Sequence, residues 1–422
     1  MRNSIEQNMN NDTATVDWLF LDLNSFFASC EQQENPALRG KPIIVVQMLT
    51  DSTCAIAASR EAKTFGVKTG TVVYDAKKLC PQVKLVQARH KVYVDYHHRV
   101  IDAVDTCVPV EKVCSIDEMA CRLTGKERNV DVARALALKV KSAVRARVGD
   151  YMTCSIGLAP SMFLGKVGSD MQKPDGLVTI TKADLPDILH SLELTDIYGI
   201  GARMEYRLNR AGIASVADLM RASRAQLRAV WGGINGALYH ELLHGADLQF
   251  PSSTETHSVS HQHVLEPALR TTNGAREFSQ HLLAKAAERL RDKNYYARHL
   301  GLFLSWVKPM GRWWDEMSFH ETQSTDFLSS RLTELWRTVP PQKPVKVGVV
   351  LFGLVPAARH QFDLFVDTGN AAITRRQRLS PVIDRINRRF GRNAITFGLR
   401  EAQIRHFTGH AAFQRVPETW EF

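Results

Sequence analysis

Carboxylates are the residues of this chain with the clearest capacity for chemistry. Asp22 closes the short apolar run Trp18-Leu19-Phe20-Leu21, and Asp117-Glu118 follows the strand-like segment Val110 to Ile116. Hard divalent cations take oxygen ligands in preference to imidazole or thiolate. Two such ions a few ångströms apart can activate a hydroxyl and stabilise a phosphoryl group during in-line transfer. Three carboxylates meeting at one point, at least one of them bridging both ions, would supply that site. Neighbouring side chains of a regular strand point to opposite faces. Asp117 and Glu118 can therefore serve one site only at a strand end or tight turn, and the pair is placed there. Each residue has a structural alternative. Asp22 could cap the helix that begins near Ser25, and one Asp-Glu dipeptide is expected by chance about once in a chain of this composition.

The elements that must position these residues read as a mixture of strands and helices. Trp18 to Asp22 is a buried strand, followed by a helix with Asn24 or Ser25 as its cap and Phe26, Phe27 and Cys30 on one face. Pro42 to Val46 is a second strand, and residues 55–80 alternate short helical stretches with the turn Phe65-Gly-Val-Lys-Thr-Gly70. Val92 to Val108 and Val130 to Val148 are amphipathic helices, and Tyr151 to Leu158 is an apolar strand followed by a helix from Ser161. That order predicts an α+β or α/β core with helices on one face. Ala183 to Gly245 is helical with Gly-containing turns, and the polar stretch Phe250 to His257 reads as an inter-domain linker. Strands at His257 to Leu265, Arg298 to Trp306 and Val345 to Phe352, with helices at Asn273 to Lys293 and around Ser324 to Thr338, give a βαββαβ-like order. The expectation there is a small basic α+β domain.

Composition narrows the partners. The 422 residues, 44% of them hydrophobic, suit two to four domains. The formal charge is +10, and from Pro251 onward 24 Lys plus Arg stand against 16 Asp plus Glu, so that part alone carries +8. A basic C-terminal part suits a phosphate backbone, though a solvated surface explains it equally well. The seven cysteines lie between Cys30 and Cys154 with no CxxC pair, a pattern of buried small hydrophobes in a reducing compartment. Met1 to Thr15 is polar and lacks the apolar core of a signal peptide, and no run approaches a membrane span. The expectation is a cytoplasmic protein with no membrane partner.

Ordered motifs sharpen this. Asp22-Leu-Asn-Ser-Phe-Phe-Ala-Ser-Cys-Glu31 with Asn35-Pro-Ala-Leu-Arg-Gly-Lys-Pro42 resembles the opening of the palm and fingers of the Y-family (UmuC/DinB-type) translesion DNA polymerases. Glu61-Ala-Lys-Thr-Phe-Gly-Val-Lys-Thr-Gly70 is similar to the family's triphosphate-contacting fingers segment, and Ser115-Ile-Asp-Glu118 to its second catalytic motif. Ser155-Ile-Gly-Leu-Ala-Pro160, Leu164-Gly-Lys166 and Lys173-Pro-Asp-Gly176 resemble its third palm segment. The resemblance implies an α+β multidomain right-hand polymerase. It assigns palm to residues 16–25 and 92–180, small fingers to 26–91, a helical thumb with a helix-hairpin-helix to 181–249, a linker to 250–256 and a little finger to 257–358. Residues 1–15 are then a disordered N-terminus, and 359–422 a clamp-binding motif with a C-terminal extension.

Roles follow from the same resemblance. Asp22, Asp117 and Glu118 are the catalytic set and hold two Mg²⁺, with the Leu23 carbonyl touching the nucleotide-side ion. Phe27 is the steric gate beneath the incoming sugar. Phe26, Arg60, Lys63 and Lys173 contact the dNTP, where cations offset leaving-group charge. The Arg60-Glu-Ala-Lys63 form is UmuC-like whereas Lys173-Pro-Asp-Gly176 is DinB-like, so the branch stays open. Asp196-Ile-Tyr-Gly-Ile-Gly201 offers Gly199 and Gly201 for backbone approach to a DNA phosphate, or serves as a plain helix–helix turn. Gln361-Phe362-Asp363-Leu364-Phe365 resembles the peptide with which bacterial polymerases dock on the sliding clamp (the β subunit), or forms an edge strand. Arg375 to Arg392 carries seven Arg against one Asp, a face for DNA or for solvent. The activity implied is low-fidelity bypass of damaged primer-template DNA in the SOS response, by a monomeric subunit with a possible UmuD-like partner. Two alternatives stand beside it: a catalytically inactive scaffold subunit of a mutagenesis complex, and a non-enzymatic DNA-binding protein.

Overall fold

The computed structural model describes residues 15–248, 256–306, 311–361, 371–390, 394–395 and 416. Two compact units divide near residue 251.

In the first unit the chain runs from β1 (Trp18–Leu23) into α1 (Phe26–Glu34), then through β2 (Ile43–Val46), β3 (Ala55–Ala58), α2 (Arg60–Thr64), α3 (Val73–Leu79) and β4 (Lys84–Gln87). There follow α4 (His90–Asp105), β5 (Lys112–Val113), β6 (Glu118–Arg122), α5 (Val130–Val148), β7 (Cys154–Ala159), α6 (Met162–Met171) and β8 (Leu177–Thr179). Strands β5-β6-β1-β7-β8 form one sheet with β1 at its centre, antiparallel to both neighbours. All six β1 residues are buried, which is why the sequence there reads as a continuous apolar run and not as an alternation. Leu19, Leu21 and Leu23 pack with Tyr93 and Val100 of α4 and Ala137 and Val144 of α5. The opposite face, carrying Trp18 and Phe20, receives α6. A Cβ on Gly157 of β7 would stand 2.0 Å from the Gly165 carbonyl oxygen, so only glycine at 157 lets α6 lie this close to the sheet.

Strands β3-β2-β4 make a separate small sheet, packed by Ala62, Val73, Ala76 and Cys80. Here the structure corrects the reading of 55–80 as short helical stretches: Ala55–Ala58 is a strand paired with β2. Burial and pairing override the weak local preference of an alanine-rich segment. The four helices α7 (Ala202–Arg210), α8 (Val216–Arg221), α9 (Arg224–Trp231) and α10 (Ile234–Leu243) close on Leu208, Leu219, Leu227 and Leu242. Short 3₁₀ turns precede them.

The second unit holds β9 (Ser258–Val264), α11 (Thr272–Asp292), β10 (Tyr295–Ser305), β11 (Arg312–Thr322), α12 (Thr325–Leu335), β12 (Lys346–Phe352), β13 (Val355–Pro356) and α13 (Ala371–Phe390). Its antiparallel sheet has the order β11-β10-β12-β9, with β13 pairing β10. Leu282, Ala286 and Leu290 of α11 and Leu328 and Leu332 of α12 bury one face. Alternate β9 residues stay exposed on the other, the pattern of a one-sided antiparallel sheet. α13 docks on α11 through Asp384, whose carboxylate accepts from Arg291 Nε and Nη2 at 2.6 and 2.8 Å. Arg388 pairs with Glu288 and Asp292, so part of the C-terminal arginine face is committed to this packing.

All seven cysteines are free thiols, and Cys30, Cys80, Cys121 and Cys154 are buried. Among the described residues no helix is long and apolar enough to cross a membrane.

Candidate active site

Register decides which acidic side chains meet. Asp22 on β1 lies opposite Glu118 on β6 and Ser155 on β7. Directly opposed residues of antiparallel strands share a face, so Asp22 and Glu118 project together on the side where α6 lies. Asp117 precedes β6 in the tight turn from β5, where the N–H groups of Cys114 and Ser115 both donate to the Glu118 carbonyl (2.9 and 3.1 Å). That bend releases Asp117 from strand alternation, as the sequence reading required. Leu23 N–H donates to the Asp117 carbonyl (2.9 Å), and Ser115 Oγ donates to Asp117 Oδ1 (2.5 Å).

Lys166 of α6 entered the sequence reading only as part of a motif, yet it organises the site. Its Nζ lies 2.5 Å from Asp22 Oδ2, 2.8 Å from Glu118 Oε1 and 3.1 Å from Asp170. Lys173 Nζ lies 2.7 Å from Asp22 Oδ1 and 2.7 Å from Asp170 Oδ1. Asp22 is 5% exposed. Burial holds the Asp117 carboxyl above its ordinary range, helped by the Asp22 charge and opposed by the Ser115 hydrogen bond. Burial also raises Glu118, against the pull of Lys166. For Lys166 burial works downward, but Asp22, Glu118 and Asp170 together hold its ammonium above the usual lysine value. Such mutual perturbation of buried acids and a base makes this cluster the candidate functional site.

The donor set suits a hard cation: carboxylate oxygens alone, two of them already gripping the positive charge of one ammonium. Among the described residues no three acidic, histidine or cysteine side chains close on a single point. Asp22 and Glu118 are drawn onto the lysine ammoniums instead.

Phe27 is 9% exposed; its ring stacks on Tyr93 (centroids 4.2 Å apart, 13° between planes) and meets His90 edge-on. Tyr93 donates to Glu31 (2.8 Å), which also accepts from Arg89 at 2.6 to 3.1 Å. Phe26 is packed into the core, 3% exposed. Arg60 Nη2 donates to Thr153 Oγ1 (2.7 Å). Lys63 is lowered by burial first, then by Lys173 and Arg60, and is partly restored by Asp22, so these three cations and Asp22 share one electrostatic neighbourhood.

Asn24 was expected as a helix cap, and the structure gives it another task. It donates to Ser155 Oγ (3.0 Å) and accepts from Thr153 Oγ1 (3.2 Å) and from the Asp175 N–H (2.8 Å). Neither candidate caps through its side chain: Ser25 holds the N-cap position at φ 50 with no capping hydrogen bond. Asn24 thereby ties β1, β7 and the Lys173–Gly176 turn into one frame. Gly176 is required in that turn, since a Cβ would meet the Gln172 carbonyl oxygen at 1.9 Å.

Gly199 has φ +90, and Gly201 is the exposed N-cap of α7 with open space where a Cβ would stand. Gln361 is exposed and follows His360, whose ring stacks on Tyr296 (3.7 Å, 8°) and pairs with Glu321 at 2.6 Å. Phe362, Asp363, Leu364 and Phe365 lie outside the described residues, as do nearly all of the N-terminal fifteen residues and of the linker, and most of the C-terminal extension.

A central-strand acid opposite a second acid, a small mixed-sheet module, a helix-hairpin-helix and a separate one-sided sheet define the class: a right-hand nucleic-acid polymerase fold with palm, fingers, thumb and little finger. Comparison with known proteins gives the family. Residues 21–170 match the impB/mucB/samB family, 182–213 the IMS family HHH motif, and 256–364 the impB/mucB/samB family C-terminal domain. The chain is 33% identical to DNA polymerase IV of Moorella thermoacetica over 389 residues, 89% of this chain and 94% of that one. It is 32% identical to DNA polymerase IV of Pelotomaculum thermopropionicum, over 89% and 93%. A solved Y-family DNA polymerase chimera shares the fold, with a TM-score of 0.66 and 24% identity over 80% of this chain and 99% of that one. An insertion ternary complex of Dbh DNA polymerase aligns with a TM-score of 0.52 at 24% identity, over 80% and 99%. The chain belongs to the impB/mucB/samB family, the Y-family translesion DNA polymerases.

Proposed function

We infer that Asp22, Asp117 and Glu118 are the catalytic centre of a template-directed DNA polymerase that extends a primer across damaged template by nucleotidyl transfer from dNTP. One observation carries the reading: the β1–β6 register that sets Asp22 opposite Glu118 with Asp117 on the adjoining turn. Asp22 and Asp117 would hold both of two Mg²⁺, Glu118 the primer-side ion, and the Leu23 carbonyl the nucleotide-side one. Bound there, the ions supply Lewis-acid activation of the primer 3′-hydroxyl and neutralise charge on the departing pyrophosphate. Lys173, Lys63 and Arg60 take the triphosphate, a role supported by their shared field with Asp22. Phe27, fixed by Tyr93, forms the floor under the sugar and leaves no room for a 2′-hydroxyl, while Phe26 braces it from the core. Gly199 and Gly201 let backbone N–H groups approach the DNA phosphates without reading sequence. The proposal extends to a cytoplasmic enzyme that docks on the sliding clamp through Gln361–Phe365; a UmuD-like accessory protein stands on the resemblance alone.

The test is primer extension with Mg²⁺, comparing the wild type with Asp117→Ala. The wild type should copy template, and the variant should lose roughly 10²- to 10⁴-fold in rate, the scale of removing metal-borne charge stabilisation. No activity in either protein would favour the inactive scaffold, and DNA binding that ignores a correct dNTP would favour the simple DNA-binding protein.

A further inference from the structure

Asp170 is the carboxylate at this site for which the polymerase reading has no use. It lies four residues after Lys166 and three before Lys173, with its side chain 33% exposed, and it pairs with both lysines. Each lysine thus divides itself between Asp170 and the proposed metal carboxylates. The two ammoniums cover both oxygens of Asp22, at 2.5 and 2.7 Å, and one oxygen of Glu118. A divalent cation and an ammonium repel at contact distance, so these oxygens cannot hold both. The lysines must therefore leave before the carboxylates can take a divalent ion. Lys166 is 8% exposed, which closes the route into water, and among the described residues its one further carboxylate partner is Asp170 on the same helix. Positions four apart lie on one helix face, so the transfer needs side-chain rotation and no backbone movement.

We propose that Asp170 is a positioning residue that takes Lys166 and Lys173 over from Asp22 and Glu118, freeing those carboxylates for divalent cations while keeping Lys173 at the nucleotide side. The proposal rests on the reading of Asp22 and Glu118 as metal ligands. Asp170 touches no reacting atom in this scheme, and its effect runs through the lysines.

The experiment is a titration of the full-length protein with Mn²⁺, without DNA or nucleotide, following free Mn²⁺ by electron paramagnetic resonance. Wild type, Asp117→Ala, Asp170→Asn, Asp170→Glu and the double variant Asp170→Asn with Lys166→Gln are compared, each checked for folding by its melting temperature in metal-free buffer. Asp170→Asn should weaken Mn²⁺ about tenfold, the scale of an outer-layer substitution. Asp170→Glu should restore most of the affinity. Lys166→Gln in the Asp170→Asn background should restore part of it, because one of the two competing ammoniums, the one on both Asp22 and Glu118, is gone; a merely structural defect would deepen instead. Asp170→Asn that binds as the wild type does, or a weakened affinity that Lys166→Gln fails to rescue, overturns the proposal while leaving the metal site standing. Wild-type binding that ignores Asp117→Ala overturns the underlying site assignment and this inference with it.

Discussion

Phe27 lies between the aromatic column behind it and the sugar expected in front. Its ring rests flat on Tyr93, and Tyr93 is fixed through its hydroxyl to a Glu31 that is 2% exposed and doubly bonded by Arg89. Burial and the Glu31 charge push the Tyr93 hydroxyl well above its ordinary pKa, so the phenol keeps the proton it donates to Glu31. A floor that rigid can discriminate on the size of one hydroxyl. Phe27→Ala should raise incorporation of rNTP relative to dNTP by about 10- to 100-fold, the range a single contact supplies, in single-nucleotide insertion assays. An unchanged ratio sinks the gate assignment. At this scale the sequence was informative where the signal was local. Asp22 announces itself by ending an apolar run, and Asp117-Glu118 by being adjacent acids near a strand end. Lys166 and Asp170 gave no such sign, because their importance comes from the Gly157–Gly165 approach that lowers α6 onto the sheet. Asn24 looked like a cap because its type and position are a cap's, and only the tertiary frame shows it bridging three segments.

Elements were legible in proportion to how far their burial pattern repeats along the chain. The helix expected over Val130 to Val148 is found with those bounds, since its core residues recur every three or four positions and Asn129 caps it through its side chain. β11 was not among the expected strands although the βαββαβ order needs it; it lies at the sheet edge and, up to its buried last residue Thr322, alternates between exposed and half-buried residues. Two expectations belong to this scale. His90 opens α4 largely buried, and burial lowers its pKa to about 4. The unfolded chain therefore binds a proton near pH 6.5 that the folded one refuses, so this contribution to stability is complete above about pH 6.5 and is lost as pH falls toward 4. Chemical denaturation of the wild type should lose roughly 2–3 kcal/mol from this source over that window, and His90→Gln should flatten the slope; parallel slopes would show that the imidazole is not held neutral. In the second unit, Arg291 and Asp384 are 8% and 13% exposed in their side chains. Asp384→Ala would strand a buried guanidinium, though Gln323 and Thr325 still accept from it. A loss of about 3 kcal/mol in urea unfolding is expected. A loss under about 1 kcal/mol, typical of an exposed pair, would mean α13 is not docked.

For the whole molecule the open matter is how a polymerase with a small fingers module stays on DNA. Most of the excess positive charge lies beyond residue 250, and charge alone gives binding that salt weakens and that favours no position along the duplex. A peptide tether to a clamp works differently: it converts each rebinding into an intramolecular event at high effective concentration without adding a single contact to DNA. The proposed tether starts where the folded sheet ends. His360 is pinned by its stack on Tyr296 and its pair with Glu321, and the very next residue, Gln361, is exposed. That placement suits a short anchor-bearing peptide presented from a rigid base. It also predicts a specific dependence. Deleting residues 361–365 should leave primer extension unchanged when no clamp is loaded, because none of the carboxylates and cations assigned to the active site belongs to that segment. With a loaded clamp, the same deletion should shorten products by about tenfold or more, the loss of avidity that accompanies a severed tether. Product-length distributions on primed circular template, with and without clamp, separate the possibilities. An equal loss in both conditions would make the segment a structural part of the sheet, and no loss with the clamp present would remove it from the docking role.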